Sequence, residues 1–203
     1  MPITQVAGVI LAGGQARRMG GGDKCLLPLA PGRVVLEEII ARLARQVGCL
    51  ALNANGDAAR FAKFGLPVVA DEVADAGPLA GVLAGMGWAR AQGCDRLVTV
   101  AGDTPFLPAD LVARLAAGGG GAPVSVAATD RVHPVFALWD VARADDLRAA
   151  LAAGTRRVMD FAAAQGAVEV RFAVAGGGDP FFNINTPEDL VQAQARAIAG
   201  GGM

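Results

Sequence analysis

The stretch VAGVILAGGQARRMGGGDK, residues 6 to 24, decides the fold. Val6, Val9, Ile10 and Leu11 form a short apolar run that fits a buried strand, and Gly13-Gly14 end it abruptly. The segment that follows adds Gly20, Gly21 and Gly22, the cations Arg17, Arg18 and Lys24, and the single carboxylate of Asp23. Glycine lets a backbone turn tightly enough to bring its amide hydrogens against phosphate oxygens, and the cations supply positive charge. The layout is that of a polyphosphate site. It is not the dinucleotide fingerprint, because no G-x-G-x-x-G opens a helix, nor a P-loop, because no Gly-Lys-Ser/Thr follows. A third kind of phosphate loop is required.

Outward from this stretch, apolar runs alternate with helical patterns. Val6 to Leu11, Cys49 to Ala54, Pro67 to Ala70 and Arg96 to Ala101 read as strands; Val34 to Gln46, Pro78 to Ala91 and Pro108 to Ala117 read as helices. Beyond Gly118 to Gly121, a low-complexity run read as a flexible turn, Pro123 to Ala128, Val132 to Leu138 and Ala167 to Phe172 read as strands. Val141 to Ala153 and Pro187 to Ile198 read as helices, and Gly200 to Met203 should fray. Such alternation predicts an α/β fold: a Rossmann-like three-layer sandwich, its sheet mostly parallel with helices on both faces and ligands gathered at the carboxyl ends of the strands. The connection from Leu11 to Val34 exceeds an ordinary strand-to-helix loop, which favours a functional loop.

Length and composition narrow the class. A chain of 203 residues, 53% hydrophobic and 18% charged, reads as one globular domain, with no apolar run near the ~20 residues that span a bilayer. MPITQ, residues 1 to 5, lacks the basic start of an export signal. Cys25, Cys49 and Cys94 are odd in number and show no C-x-x-C spacing, so neither a disulfide framework nor a zinc site is indicated. Together these features point to the cytoplasm. A formal net charge of −1, with no tyrosine and 5% aromatic residues, argues against a nucleic-acid partner, and no membrane partner is indicated.

Four constellations carry chemistry. Asp103, in Ala101-Gly102-Asp103-Thr104-Pro105, follows an apolar strand at the edge where the phosphate loop lies. It is either a metal ligand or a turn residue before Pro105; magnesium takes one or two carboxylates together with substrate phosphates, so one aspartate suffices. Asp71 closes Pro67 to Ala70 ahead of Gly77-Pro78, a helix start with Pro in its first turn. It is either a solvated strand-end carboxylate or the acceptor of the adjacent N1–H and N2–H donors of guanine. Asn53 lies in an Asn-rich turn, Leu52-Asn53-Ala54-Asn55. In Phe181-Phe182-Asn183-Ile184-Asn185-Thr186-Pro187-Glu188-Asp189, alternation puts Asn183 and Asn185 on one face, while Thr186, Pro187 and Asp189 read as N-cap, first-turn Pro and N3 acid. His133, the only histidine, is read as a structural hydrogen-bonding residue, and Trp88 and Trp139 as packing.

The pattern L-A-G-G-x-x-x-R-M-G-x-x-x-K resembles the signature of nucleotidyltransferases. Within them Leu11-Ala12-Gly13-Gly14 is similar to the molybdenum cofactor guanylyltransferases, whereas cytidylyl relatives usually read Leu-Ala-Ala-Gly. Gly102-Asp103-Thr104-Pro105, Arg131-Val132-His133-Pro134, Gly154-Thr155-Arg156-Arg157-Val158-Met159 and the Phe181 to Asp189 run follow in the family's order. The resemblance implies transfer of GMP from GTP to the terminal phosphate of molybdenum-bearing molybdopterin, with release of pyrophosphate. It assigns GTP binding to Leu11, Ala12, Gly13, Gly14, Lys24, Asn53, Asp71 and Asp103, with Mg2+ on Asp103. Arg18, Lys24 and Asp103 would serve catalysis, and Arg157, Asn183 and Asn185 would take the acceptor. Residues 1–117 would then be a nucleotide half and 118–199 an acceptor half. Recipient molybdoenzymes, their chaperones or other cofactor-biosynthesis proteins are the implied partners. The rivals are a cytidylyltransferase, against which Gly13 and Asp71 argue, and a non-catalytic GTP-binding carrier.

Overall fold

In the computed structural model, which describes residues 5–13, 22–174 and 178–200, the chain runs β1 (Val6–Leu11), β2 (Pro28–Ala30), β3 (Arg33–Val34), α1 (Val35–Leu43), β4 (Cys49–Asn53), β5 (Val68–Val69), α2 (Pro78–Ala91) and β6 (Arg96–Ala101). It continues through α3 (Leu111–Gly118), β7 (Val124–Ala128), β8 (Val132–Asp140), α4 (Ala144–Ala152), α5 (Val158–Ala164), β9 (Val168–Arg171) and α6 (Pro187–Gly200). Seven strands form one sheet in the order β5-β4-β1-β6-β8-β7-β9, and β8 alone runs antiparallel to its neighbours. The mostly parallel sheet agrees with the alternation in the sequence.

The first strand is central because both its faces are apolar. Ile10 packs with Val35, Leu36 and Ile39 of α1 and with α3 on one side. Ala7 and Val9 pack with Leu79, Val82 and Met86 of α2 and with α4 and α5 on the other. Two apolar layers therefore sandwich the sheet, and their burial is the main favourable term of folding. A buried polar pair on β6 and β8 is satisfied: the Trp139 indole donates to Thr99 Oγ1 at 2.9 Å and the Thr99 hydroxyl donates to the Val135 carbonyl at 2.7 Å.

Chain order around β1 creates the site. From β1 the chain moves outward to β4 and β5, then crosses to the other side of β1 with β6. That reversal opens a crevice at the carboxyl ends of β1, β4 and β6.

Several details depart from the sequence reading. The long connection after β1 contains the β2–β3 hairpin, and α5 occupies residues for which no helix is expected. The Gly118 to Gly121 turn is shaped by packing as well as conformation: a Cβ at Gly118 would lie 2.8 Å from Val170 Cγ1, one at Gly119 would overlap the Ser125 hydroxyl, and Gly120 and Gly121 have positive φ.

Candidate active site

Backbone bonds tie the three strand ends together. Ala12 N–H donates to the Asn53 carbonyl at 2.8 Å, and Gly102 N–H donates to the Leu11 carbonyl at 3.0 Å. A Cβ at Gly102 would lie 2.9 Å from that carbonyl oxygen and 3.1 Å from Ala12 Cα, so the close approach requires glycine. The turn from β6 consequently delivers Asp103 beside Leu11, Ala12 and Gly13 at the end of β1. A cavity of about 680 Å³ opens there, within the size range of small-molecule sites. Leu11, Ala12, Gly13, Lys24, Asn53, Asp71 and Asp103 all line it. Gly14 and Arg18 lie outside the described residues.

One end of the cavity is charged. Lys24 Nζ lies 3.2 Å from Asp103 Oδ2 and donates to Asn185 Oδ1 at 2.5 Å. The Thr104 hydroxyl donates to Asn183 Oδ1 at 2.7 Å, and Ile184 N–H donates to the Asp103 carbonyl at 2.9 Å. Both amides thus turn toward the end of β6 while Ile184 is buried in the core, as the alternation of that segment predicts. The helix start beyond it is also as read: Asp189 Oδ2 accepts from the N–H groups of Asn185 and Thr186, and Asp189 N–H donates to Thr186 Oγ1. Arg157 caps α5, is exposed, and is not among the residues lining the cavity.

The other end is an amide–carboxylate cluster. Asn53 Nδ2 donates to Asp71 Oδ1 at 2.8 Å and to the Val69 carbonyl at 3.1 Å. Asn55 Nδ2 donates to Asp71 Oδ2 at 2.7 Å, and Asp71 N–H donates back to Asn55 Oδ1 at 2.9 Å. Gly77, at φ 63°, and Pro78 start α2 against this cluster. Sequence reasoning singled out Asn53 and Asp71 but not Asn55, although Asn55 sits two positions after Asn53 and so carries the same alternation signal as Asn183 and Asn185.

Two further groups are quiet. Cys25 lines the cavity, but burial, with help from the Asp23 carboxylate, pushes its thiol up to about 12, so it stays protonated. His133 is buried, its Nε2 lies 2.8 Å from Thr129 Oγ1, and burial lowers its pKa, which fits the structural role expected of it.

A strand-end carboxylate thus faces a lysine at one end of the cavity and an amide–carboxylate cluster stands at the other, and residues 8–168 match the MobA-like NTP transferase domain. The chain belongs to that family. It is a nucleotidyltransferase. It is 56% identical over 196 residues to a molybdenum cofactor guanylyltransferase of Mesorhizobium japonicum, covering 93% of this chain and 94% of that protein. A protein of the same name from Cereibacter sphaeroides is 53% identical, covering 93% and 95%. Among solved structures, molybdopterin-guanine dinucleotide biosynthesis protein A from Archaeoglobus fulgidus superposes with a TM-score of 0.72 at 22% identity, covering 95% and 99%. At that identity the superposition speaks for the fold.

Proposed function

We propose that this enzyme transfers GMP from GTP to the terminal phosphate of molybdenum-bearing molybdopterin and releases pyrophosphate. The observation that carries the reading is one cavity with two ends: Lys24 and Asp103 at the phosphate end, Asn53 and Asp71 at the base end. Each oxygen of the Asp71 carboxylate accepts one amide bond and retains capacity for another, so the pair suits the adjacent N1–H and N2–H donors of guanine. Asn183 and Asn185 reach the same strand end from the carboxyl-terminal part of the chain, which suits an acceptor arriving opposite the nucleotide. On this reading residues 1–117 form the nucleotide half and 118–199 the acceptor half.

A divalent cation, magnesium in this proposal, would be held by Asp103. The donor set fits: the Asp103 carboxylate is a hard oxygen ligand, 19% exposed, that opens to the cavity. Such an ion takes its remaining ligands from substrate phosphates and water. It would supply neutralisation of triphosphate charge.

The protein's own part is positioning. An acceptor phosphate is already ionised, so no strong base is required; orientation and fixed positive charge supply most of the acceleration. Lys24 offsets charge developing on the departing pyrophosphate, a task Arg18 is proposed to share, and the backbone from Leu11 to Gly14 is proposed to hold the nucleotide. Arg157 is proposed to approach the acceptor. No described helix is long and apolar enough to cross a membrane. The proposed reaction implies work in the cytoplasm among other cofactor-biosynthesis proteins and recipient molybdoenzymes or their chaperones.

The test is pyrophosphate release from GTP or CTP, with and without molybdenum-bearing molybdopterin and Mg2+. Release dependent on GTP, acceptor and metal is expected. Faster turnover of CTP would defeat the base assignment, and GTP binding without release would make the protein a carrier.

A further inference from the structure

We infer that Arg60 is a positioning residue that couples the two ends of the nucleotide site, setting Lys24 for the triphosphate and Asn55–Asp71 for the base. The inference rests on the proposal that this cavity takes GTP. Arg60 lies in the 3-10 turn Ala58–Phe64, and it does not line the cavity. Its guanidinium nevertheless reaches both sides of it. Nε donates to Asp23 Oδ2 at 2.7 Å, Nη2 donates to the Asn55 carbonyl at 2.8 Å, and Nη1 donates to the Asp57 carbonyl. The guanidinium carbon sits 4.5 Å from the ring centroid of Phe61, which is fully buried.

Each contact bears on a site residue one step away. Asp23 immediately precedes Lys24, and its carbonyl accepts from Leu26 N–H, so holding its carboxylate holds the stem from which Lys24 reaches Asp103. Asn55 exchanges two hydrogen bonds with Asp71, so holding its carbonyl fixes the amide that orients the base-reading carboxylate. Gly56 turns the chain immediately afterwards at φ 81°, leaving Arg60 as the brace for that turn. The Asp23 and Arg60 side chains are 16% and 27% exposed, so this pair is less screened than an ion pair at the open surface. The three bonds leave from three separate nitrogens of a rigid planar group, whereas a lysine ammonium would keep the charge but gather its donors on one nitrogen, too compact to span Asp23, Asn55 and Asp57 together.

The experiment measures GTP, ITP and GMP binding by calorimetry for the parent, R60M, R60K, D23N and N55A, with folding checked by circular dichroism. R60M should lower both the GTP-over-ITP and the GTP-over-GMP preference by about tenfold, the scale of one hydrogen bond to a charged group. R60K should not restore the ITP discrimination. D23N should lower only the GTP-over-GMP preference and N55A only the GTP-over-ITP preference. Those two variants carry the test if R60M fails to fold. A purely structural role predicts folded variants with both ratios at parental values, and that result overturns the inference while leaving the functional proposal standing. A parent that binds no GTP overturns the functional proposal itself.

Discussion

Asp103 is asked to do two things, to face Lys24 at 3.2 Å and to offer oxygen to a metal, and both depend on its carboxylate. Its backbone carbonyl, not its side chain, accepts from Ile184 N–H, so Asp103→Ala should fold normally. Turnover should fall by three orders of magnitude or more, consistent with several kcal/mol of lost charge stabilisation, roughly the Lewis-acid scale. Near-parental pyrophosphate release with a parental melting curve would remove Asp103 from the chemistry. Asp71 tests the base. Asp71→Asn turns one acceptor into a donor facing donors, both the amides of Asn53 or Asn55 and the edge of guanine. An unsatisfied donor costs about 1–3 kcal/mol, so the preference for GTP over ITP should shrink by about tenfold; an unchanged ratio means the base is read elsewhere. At this scale the site was legible where a side chain of distinctive chemistry stood at a strand end. Arg60 was not, because it sits in a short turn without any motif and acts through backbone carbonyls that leave no trace in composition.

Among the elements, α2 sets the width of the end of the cavity proposed to take the base. Gly81, in its first turn, lies against Asn53 and Leu11: an added methyl would overlap the Asn53 amide and approach Leu11 Cδ2 to 2.9 Å. Gly81→Ala should therefore cost about 1–3 kcal/mol by overpacking and also turn Asn53 away from Asp71, weakening GTP binding. Gly85, one turn along, provides the control. Its Cβ would meet Leu97 Cδ2 at 3.0 Å and Val9 Cγ2 at 3.2 Å, away from the cavity. Gly85→Ala should lower the melting temperature while leaving GTP-over-ITP preference at the parental value; if both variants behave alike, the helix start does not shape the base end. The boundaries of β1, β6 and α2 were readable because each is a sharp change of periodicity or a Gly-Pro start. Helix α5 spans only seven residues, and β2 and β3 span three and two, too short for a period to declare itself. The direction of β8 was equally hidden, since alternation marks a strand without saying which way it runs.

On the scale of the whole molecule, the carboxyl-terminal segment must return to the far side of the sheet and dock on the end of β6, and an aromatic cluster guides it. Phe181 is fully buried, with ring centroids 4.4 Å from His133, 4.8 Å from Phe136 and 5.3 Å from Phe172. Two residues later the chain delivers Asn183 to Thr104, so the state of His133 bears on how firmly the amides proposed to face the acceptor are held. Burial lowers the pKa of His133 below the ordinary 6.5, opposed by the Asp179 and Asp130 carboxylates and assisted by Arg131. Between the folded value and 6.5 the unfolded chain binds more protons, so stability rises with pH through that window and falls on acidification below about 6.5. No other histidine exists in the chain, and no other side chain type ordinarily titrates between pH 5 and 8, which makes the effect assignable to one residue. Melting temperatures at pH 5.5 and 7.5 should differ in the parent, lower at pH 5.5, and the gap should narrow in His133→Gln, which keeps a hydrogen-bonding group without a titrating one. A parental gap that persists in His133→Gln would place the acid sensitivity in the carboxylates instead and leave the aromatic cluster indifferent to pH.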